Sequence, residues 1–263
     1  MESNESNLPP TSQPVSIAPQ AQKSLFPTET IDLPSKGLVY PEGHPLSNGK
    51  IEMKYMTARE EDILTNQSYI ANGTMIDKLL QSLIVTKVDY NDLVVGDKNA
   101  LLIAARILGY GKDYEFEYAG ESHTIDLTVL ENKIIDESIF NKGTNEFYYT
   151  LPHSGIEITF RLLDGHTEKK IDNEIKGLKK INKNSSAELT TRLKHIITSV
   201  NGDRTPKTIR EFIDNNLLAR DSKALRDYIA KIQPDIDMEV QIEVEERMIP
   251  INIPLGVNFF FPE

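Results

Sequence analysis

The sequence contains no cysteine and no tryptophan. Without cysteine there is no disulfide, no thiolate-held zinc and no thiol nucleophile. Positive charge is in deficit: 29 Lys and Arg stand against 40 Asp and Glu, a formal net charge of -11. That balance does not suit a general polyanion binder, because phosphate contacts need surplus cations. Long apolar runs are missing as well, and stretches such as 100–108 fall far short of a membrane span. The first residues are acidic and rich in Pro and Ser rather than basic and then apolar, so no secretory signal is expected. These absences leave a soluble intracellular protein of 263 residues, enough chain for one large core or two small ones.

Catalytic signatures are scarce too. His44, His123, His153, His166 and His195 include no two at metal-ligand spacing on one element. Gly109-Tyr110-Gly111-Lys112 follows a helical pattern and is followed by Asp113. A phosphate loop needs a strand before it, a helix after it and Ser or Thr behind the Lys, so this string reads as a helix stop. No Gly-x-Ser-x-Gly elbow is present, and His153-Ser154-Gly155 reads as a hairpin turn. The expectation is a protein that is not an enzyme, with no cofactor and no metal.

What the chain does contain falls into an α+β order. Residues 1–28 carry five prolines among Ser, Asn and Gln, a composition that reads as a flexible arm. Residues 29–113 read as a strand plus a compact helical unit. Pro34 keeps Asp32-Leu33 extended, Gly37 permits positive φ, and Ile51, Met53 and Tyr55 share one face of an alternating strand. Thr57 and Glu60 form a capping box, and Thr74 and Asp97 are expected to cap two further helices. The third of these helices buries Leu101, Leu102, Ala105, Ile107 and Leu108 and stops at Gly109.

Residues 114–163 alternate with period two and predict two hairpins, Tyr114–Tyr118 with His123–Leu127 and Glu146–Leu151 with Ile156–Phe160. Residues 164–233 predict a small helical bundle. Its first helix places Ile171, Ile175, Leu178 and Ile181 on a narrow stripe beside Lys169, Lys170, Lys176, Lys179, Lys180 and Lys183. A capping box at Ser185 predicts a helix through Ile197 to Val200, and Thr205-Pro206 opens another. Residues 234–263 predict a last hairpin and an aromatic tail. Three adjacent aromatics, Phe259, Phe260 and Phe261, cannot all reach one core from a single strand, so at least one is expected to face a partner or a pocket.

Leu33-Pro34-Ser35-Lys36-Gly37, then Tyr40-Pro41, a turn, a strand ending in Met56-Thr57 and an acidic helix start form an ordered series. Residues 97–106, Tyr110-Gly111, Ile253-Pro254-Leu255 and Phe259–Pro262 continue it. In that order the chain resembles the baseplate proteins of T-even-like contractile-tailed phages, a group that contains a hub subunit. The resemblance is good over residues 31–115 and looser beyond. It implies a structural subunit of the virion's tail baseplate, assembled in the host cytoplasm in hetero-oligomeric contact with other baseplate or hub proteins. It equally permits a hub assembly chaperone that leaves before the particle is complete. No nucleic acid partner and no membrane insertion are implied. The candidate interface residues are Leu33, Pro34, Lys36, Gly37, Tyr40, Pro41, Phe259, Phe260, Phe261 and Pro262. The Leu33-Pro34-Ser35-Lys36-Gly37 stretch reads as an edge strand or strap that packs the helical unit, and its role is either to fix an assembly contact or packing alone. Some relatives carry paired cysteines that resemble zinc ribbons near such hairpins; this chain lacks them, so no such site is carried over.

Overall fold

The computed structural model describes residues 27–181, 187–244 and 246–261. Strand β1 (Thr28–Asp32) pairs antiparallel with β2 (Lys50–Lys54), setting Ile31 opposite Ile51. Ile51 and Met53 are buried and Glu52 faces out, as the period of two requires. Thr57 then opens α1 (Ala58–Leu64), whose Glu60 carboxylate accepts from the Thr57 N–H at 3.0 Å and from its hydroxyl at 2.6 Å. The chain restarts at Asn66, which accepts from the Tyr69 N–H and caps α2 (Gln67–Ala71). Helix α3 (Met75–Leu83) follows, burying Leu79, Leu80 and Leu83. Thr74 precedes it without a side-chain cap, and Asp77 instead accepts from the Tyr90 hydroxyl at 2.8 Å.

Helix α4 (Val95–Tyr110) organises the molecule, and here the structure corrects the sequence reading. Every residue from Ala100 to Arg106 is buried, so α4 is packed on all sides rather than along one stripe. Ile107 and Leu108, expected in the core, are half-buried. The N-cap is Val94, which puts Asp97 inside the first turn, and the helix runs through Gly109 to stop at Gly111 with φ 87°. At its other end, a Cβ on Gly96 would lie 1.8 Å from the Pro234 carbonyl oxygen. Only glycine lets the 234–235 backbone dock there, where Asn99 Nδ2 donates to Asp235 Oδ1 at 2.9 Å.

Beyond α4, β3 (Asp113–Tyr118) and β4 (Glu121–Asp126) form the first expected hairpin, turning through Ala119 and Gly120, both at positive φ. Strands β5 (Phe147–Thr150) and β6 (Glu157–Phe160) form the second. Helix α5 (Gly165–Ile181) and α6 (Glu188–Ile196) come next; the capping box expected at Ser185 lies outside the described residues. Residues 197–200 are not helical as expected. They form β7 (Ile197–Val200), which pairs with β6 to give the order β5-β6-β7. The run Ile-Thr-Ser-Val suits a pleated surface, and Thr159 joins the hydroxyls of Thr198 and Ser199 at 2.7 Å each.

Pro206 starts α7 (Pro206–Glu211), a π-helical turn spans Phe212–Asn216, and α8 (Ala219–Ile232) completes the helical part. The last ladder is β8 (Glu239–Val244) with β9 (Arg247–Asn252). A short 3-10 turn, Val257–Phe259, returns the chain to the core. The fold is mixed α+β, with small antiparallel sheets around helices. One continuous cluster of buried apolar residues runs from Leu33 to Phe260.

Candidate assembly surfaces

The segment from Leu33 to Gly49 is not an edge strand. Successive four-residue turns carry it: Lys36 N–H to Leu33 O at 2.9 Å, Leu38 to Ser35 at 2.9 Å, Tyr40 to Gly37 at 3.2 Å and His44 to Pro41 at 3.0 Å. The strand lies just before it, in β1, so Pro34 ends the extended backbone and begins the turns. Gly37 sits at φ 79°, and a Cβ there would lie 2.5 Å from the Ser47 carbonyl oxygen. The loop therefore closes backbone against backbone at a position no other residue fits.

Asp97 pins this loop from within. Its Oδ1 accepts the Ser35 N–H at 2.9 Å, and its Oδ2 accepts the hydroxyls of Ser35 at 2.7 Å and Tyr40 at 2.5 Å. Tyr40 in turn accepts the Val94 N–H at 3.2 Å, tying the first residue before α4 into the same network. Asp97 and Ser35 are wholly buried. Burial pushes the Asp97 carboxyl above its usual range; the bonds from Tyr40 and Ser35 oppose that push, and Asp235 adds to it. The Tyr40 hydroxyl is pushed up by burial and by Asp97's negative charge, so it remains a donor.

The structure sorts the candidate residues by exposure. Leu33, Pro34, Gly37 and Tyr40 are buried, while Lys36 and Pro41 lie on the surface, with Lys36 paired to Glu137 at 2.5 Å. At the other end of the chain Phe259 and Phe260 are buried, and Phe261 is 40% exposed. Phe259 packs on Tyr114 with ring centroids 5.2 Å apart, and Phe261 meets Tyr110 edge-on at 6.4 Å. Phe261 thus lies over the end of α4, while the other two aromatics enter the core. Pro262 lies outside the described residues. The two groups are not brought into one site: the loop sits at the start of α4 and the aromatics at its end.

The aromatic end surrounds a buried cation. Arg106 lies over the rings of Tyr110 at 5.1 Å and Tyr114 at 5.9 Å, and donates to the carbonyls of Gly111 and Asp113 at 3.3 and 3.4 Å. These carbonyls close the C-terminal end of α4, where a cation is favoured.

Sequence spacing gave no hint of the grouping around Asp92. His44 Nδ1 accepts the Leu46 N–H at 3.2 Å, which leaves its proton on Nε2, 3.2 Å from Asp92 Oδ2. His166 Nε2 lies 3.1 Å from Asp92 Oδ1 and 3.5 Å from Asp89 Oδ2. The ligating atoms of Asp89, Asp92 and His166 fall within 4.8 Å of one another, near enough to share a cation. Two separate segments supply them, the 89–92 turn and α5, and His44 comes from a third, which is why no single-element motif existed to find. Their hydrogen bonds already account for the arrangement as an anchor between the Leu33–Gly49 loop and α5.

A second capture repeats the Asp97 device. Asp221, in the first turn of α8 and fully buried, accepts the N–H of His153 at 2.9 Å and of Ser154 at 3.1 Å. The predicted β5–β6 turn is thereby fixed to the helical part. On α5, Lys169, Lys170, Lys176, Lys179 and Lys180 are exposed, and no salt bridge holds them among the described residues; Lys183 lies outside these. Ile171 is buried, but Ile181 is 87% exposed, so the apolar stripe does not extend to the end of the helix.

No significant match was found among curated proteins or among solved structures. The family model described as "T4 bacteriophage base plate protein" matches residues 28–247, from the first residue of β1 to the first of β9. With its LPSKG loop, helices α1–α8 and strands β1–β8 inside that span, the chain belongs to the T4 bacteriophage base plate protein family.

Proposed function

We propose that the chain is a structural subunit of the hub region of a contractile phage tail baseplate, acting without catalysis through contacts with other baseplate proteins during tail assembly. The observation that carries this reading is the extent of the family match, 28–247, which takes in whole sheets and helices rather than one motif. The surface supports it. Ile134 is 100% exposed, Tyr148 78%, Val129 63% and Met248 62%, side chains that gain by burial against neighbours. Lys36 and Pro41 stand on a loop whose interior is fixed by Asp97, so a neighbour would meet a preformed surface there. Phe261 is the corresponding contact at the other end of α4.

A mass-spectrometric inventory of purified tails, set against the infected-cell lysate, tests the reading. Recovery at a fixed ratio to other tail proteins is the expected result. Abundance in the lysate with absence from particles would overturn it and leave the transient assembly factor.

A further inference from the structure

Among the described residues β3 pairs only with β4, and β9 only with β8. Between β3 and β9 runs a groove of about 490 Å³ lined by Tyr114, Phe116, Glu117 and Tyr118 on one side and by Pro250–Pro254 on the other. The rings of Tyr114, Phe116 and Tyr118, alternate residues of one face of β3, form one wall, and β9 forms the other.

The hydrogen-bond parity identifies what the outer edges of β3 and β9 offer. The Leu127 N–H donates to Lys112 O at 2.8 Å, so the main-chain groups of Lys112, Tyr114, Phe116 and Tyr118 point towards β4. Those of Glu115 and Glu117 point away from β4. The Ile253 N–H donates to Met238 O at 3.1 Å, which by the same alternation leaves Met248, Pro250 and Asn252 facing outward from β9. Pro250 has no N–H to offer, which limits indiscriminate pairing along β9 and leaves β3 as the better donor edge.

Charge narrows the occupant. Residues 113–126 carry Asp113, Glu115, Glu117, Glu121 and Asp126 and no Lys or Arg, and Arg247 is the one cation in 239–252. The walls themselves are aromatic and aliphatic. We infer that this groove receives an extended segment of alternating apolar and basic residues from a neighbouring subunit, which adds to β3 as a strand and bridges it to β9, its occupant taken as another subunit's chain on the strength of the baseplate reading above. Lys or Arg side chains would meet Glu115 and Glu117, and apolar ones the rings of Tyr114, Phe116 and Tyr118.

The test uses the purified full chain and a short synthetic peptide of alternating valine and lysine. Titration calorimetry measures affinity, and hydrogen exchange reads individual amides. Binding is expected to slow exchange at Glu115 and Glu117. A peptide of the same sequence with alternate amides N-methylated, unable to pair along one edge, should bind about tenfold or more weakly. Glu117→Arg, at an exposed position, should weaken binding by a similar factor while exchange in the rest of the β3–β4 hairpin stays unchanged. Equal binding of the methylated peptide would overturn strand addition and leave only an acidic patch. Slow exchange at Glu115 and Glu117 before peptide is added would overturn the proposed occupant: in a monomer it would point to the chain's own residues, and in a concentration-dependent dimer to a second copy. A chain found in tails that fails these tests would lose the groove assignment and keep the baseplate one.

Discussion

Asp97 and Asp221 both stand in the first turn of a helix, both are fully buried, and each holds the backbone of a turn 62 or 68 positions away. Their protonation behaviour nevertheless diverges. Burial lifts the Asp97 carboxyl, which has one N–H and two hydroxyls for donors and Asp235 nearby. Burial weighs far less on Asp221, which lies under a thinner layer of protein, and the His153 N–H, the Ser154 side chain and N–H and the nearby His153 outweigh it and hold that carboxyl below its ordinary 3.8. Hydroxyls can rotate to donate or accept, whereas a backbone N–H can only donate. Two of the three donors to Asp97 are hydroxyls that can turn, whereas both carboxylate oxygens of Asp221 face an N–H, so Asp97 is the better placed of the two to take up a proton.

The strongest test of that contrast removes an acceptor outright. Asp97→Ala leaves the Ser35 N–H and two hydroxyls unpaired in the core and should cost about 4 kcal/mol in urea unfolding. A loss below about 1 kcal/mol would show that water or rearrangement satisfies the loop. Glu60 offers a third buried carboxylate for calibration. Burial pushes its pKa up, yet donors from Ser82, Thr57 and Lys54 bring it from 4.5 down to about 2. A lowered group contributes stability above its unfolded pKa and loses it as pH falls through the folded one. Glu60→Gln should therefore remove about 3 kcal/mol of the stability lost by the native chain between pH 4.5 and about 2.

The finer tests exchange Asp for Asn. In Asp221→Asn one amide NH₂ faces a backbone N–H, two donors with no acceptor, and the cost should be about 2 kcal/mol. In Asp97→Asn the amide can donate to hydroxyls that turn round, and the cost should stay under about 1 kcal/mol. Their pH dependences should oppose each other. Asp97, with its folded pKa raised, contributes stability present below its unfolded 3.8 and lost as pH rises through the raised value. Asp221, with its folded pKa lowered, contributes stability present above 3.8 and lost as pH falls through the lowered value. Urea midpoints across acid to neutral pH should show Asp97→Asn gaining on the native chain as pH rises, and Asp221→Asn losing ground. The reverse order would break the comparison.

Much of the architecture was legible in the sequence wherever a short-range pattern decided it. The three hairpins follow from period-two alternation with Ala119-Gly120, His153-Ser154-Gly155 and Glu246 at their turns, and α8 from Leu225, Tyr228, Ile229 and Ile232. What failed was decided by distant partners. Ile196 and Ile197 continue the helical spacing of α6, yet β6 recruits residues 197–200 as a third strand. Asp97 looks like a cap because Asp caps helices, but the acceptor was needed by a loop 62 residues earlier. The Leu33–Tyr40 motif was visible as a unit, while its division into buried Leu33, Pro34, Gly37 and Tyr40 and exposed Lys36 and Pro41 depended on which side α4 would occupy. The Asp89, Asp92, His44 and His166 grouping had no local signature at all.

The junction at the start of α4 also governs time. It brings together residues 35 and 97 by two bonds and residues 99 and 235 by one, the latter spanning 136 positions. Contacts across so much chain carry a large loop-closure cost and form after the local hairpins and helices. Interactions made after the folding barrier act on escape from the native state rather than on entry into it. Loosening the Ser35–Asp97 link should therefore leave the rate of folding nearly unchanged and shorten the lifetime of the folded subunit.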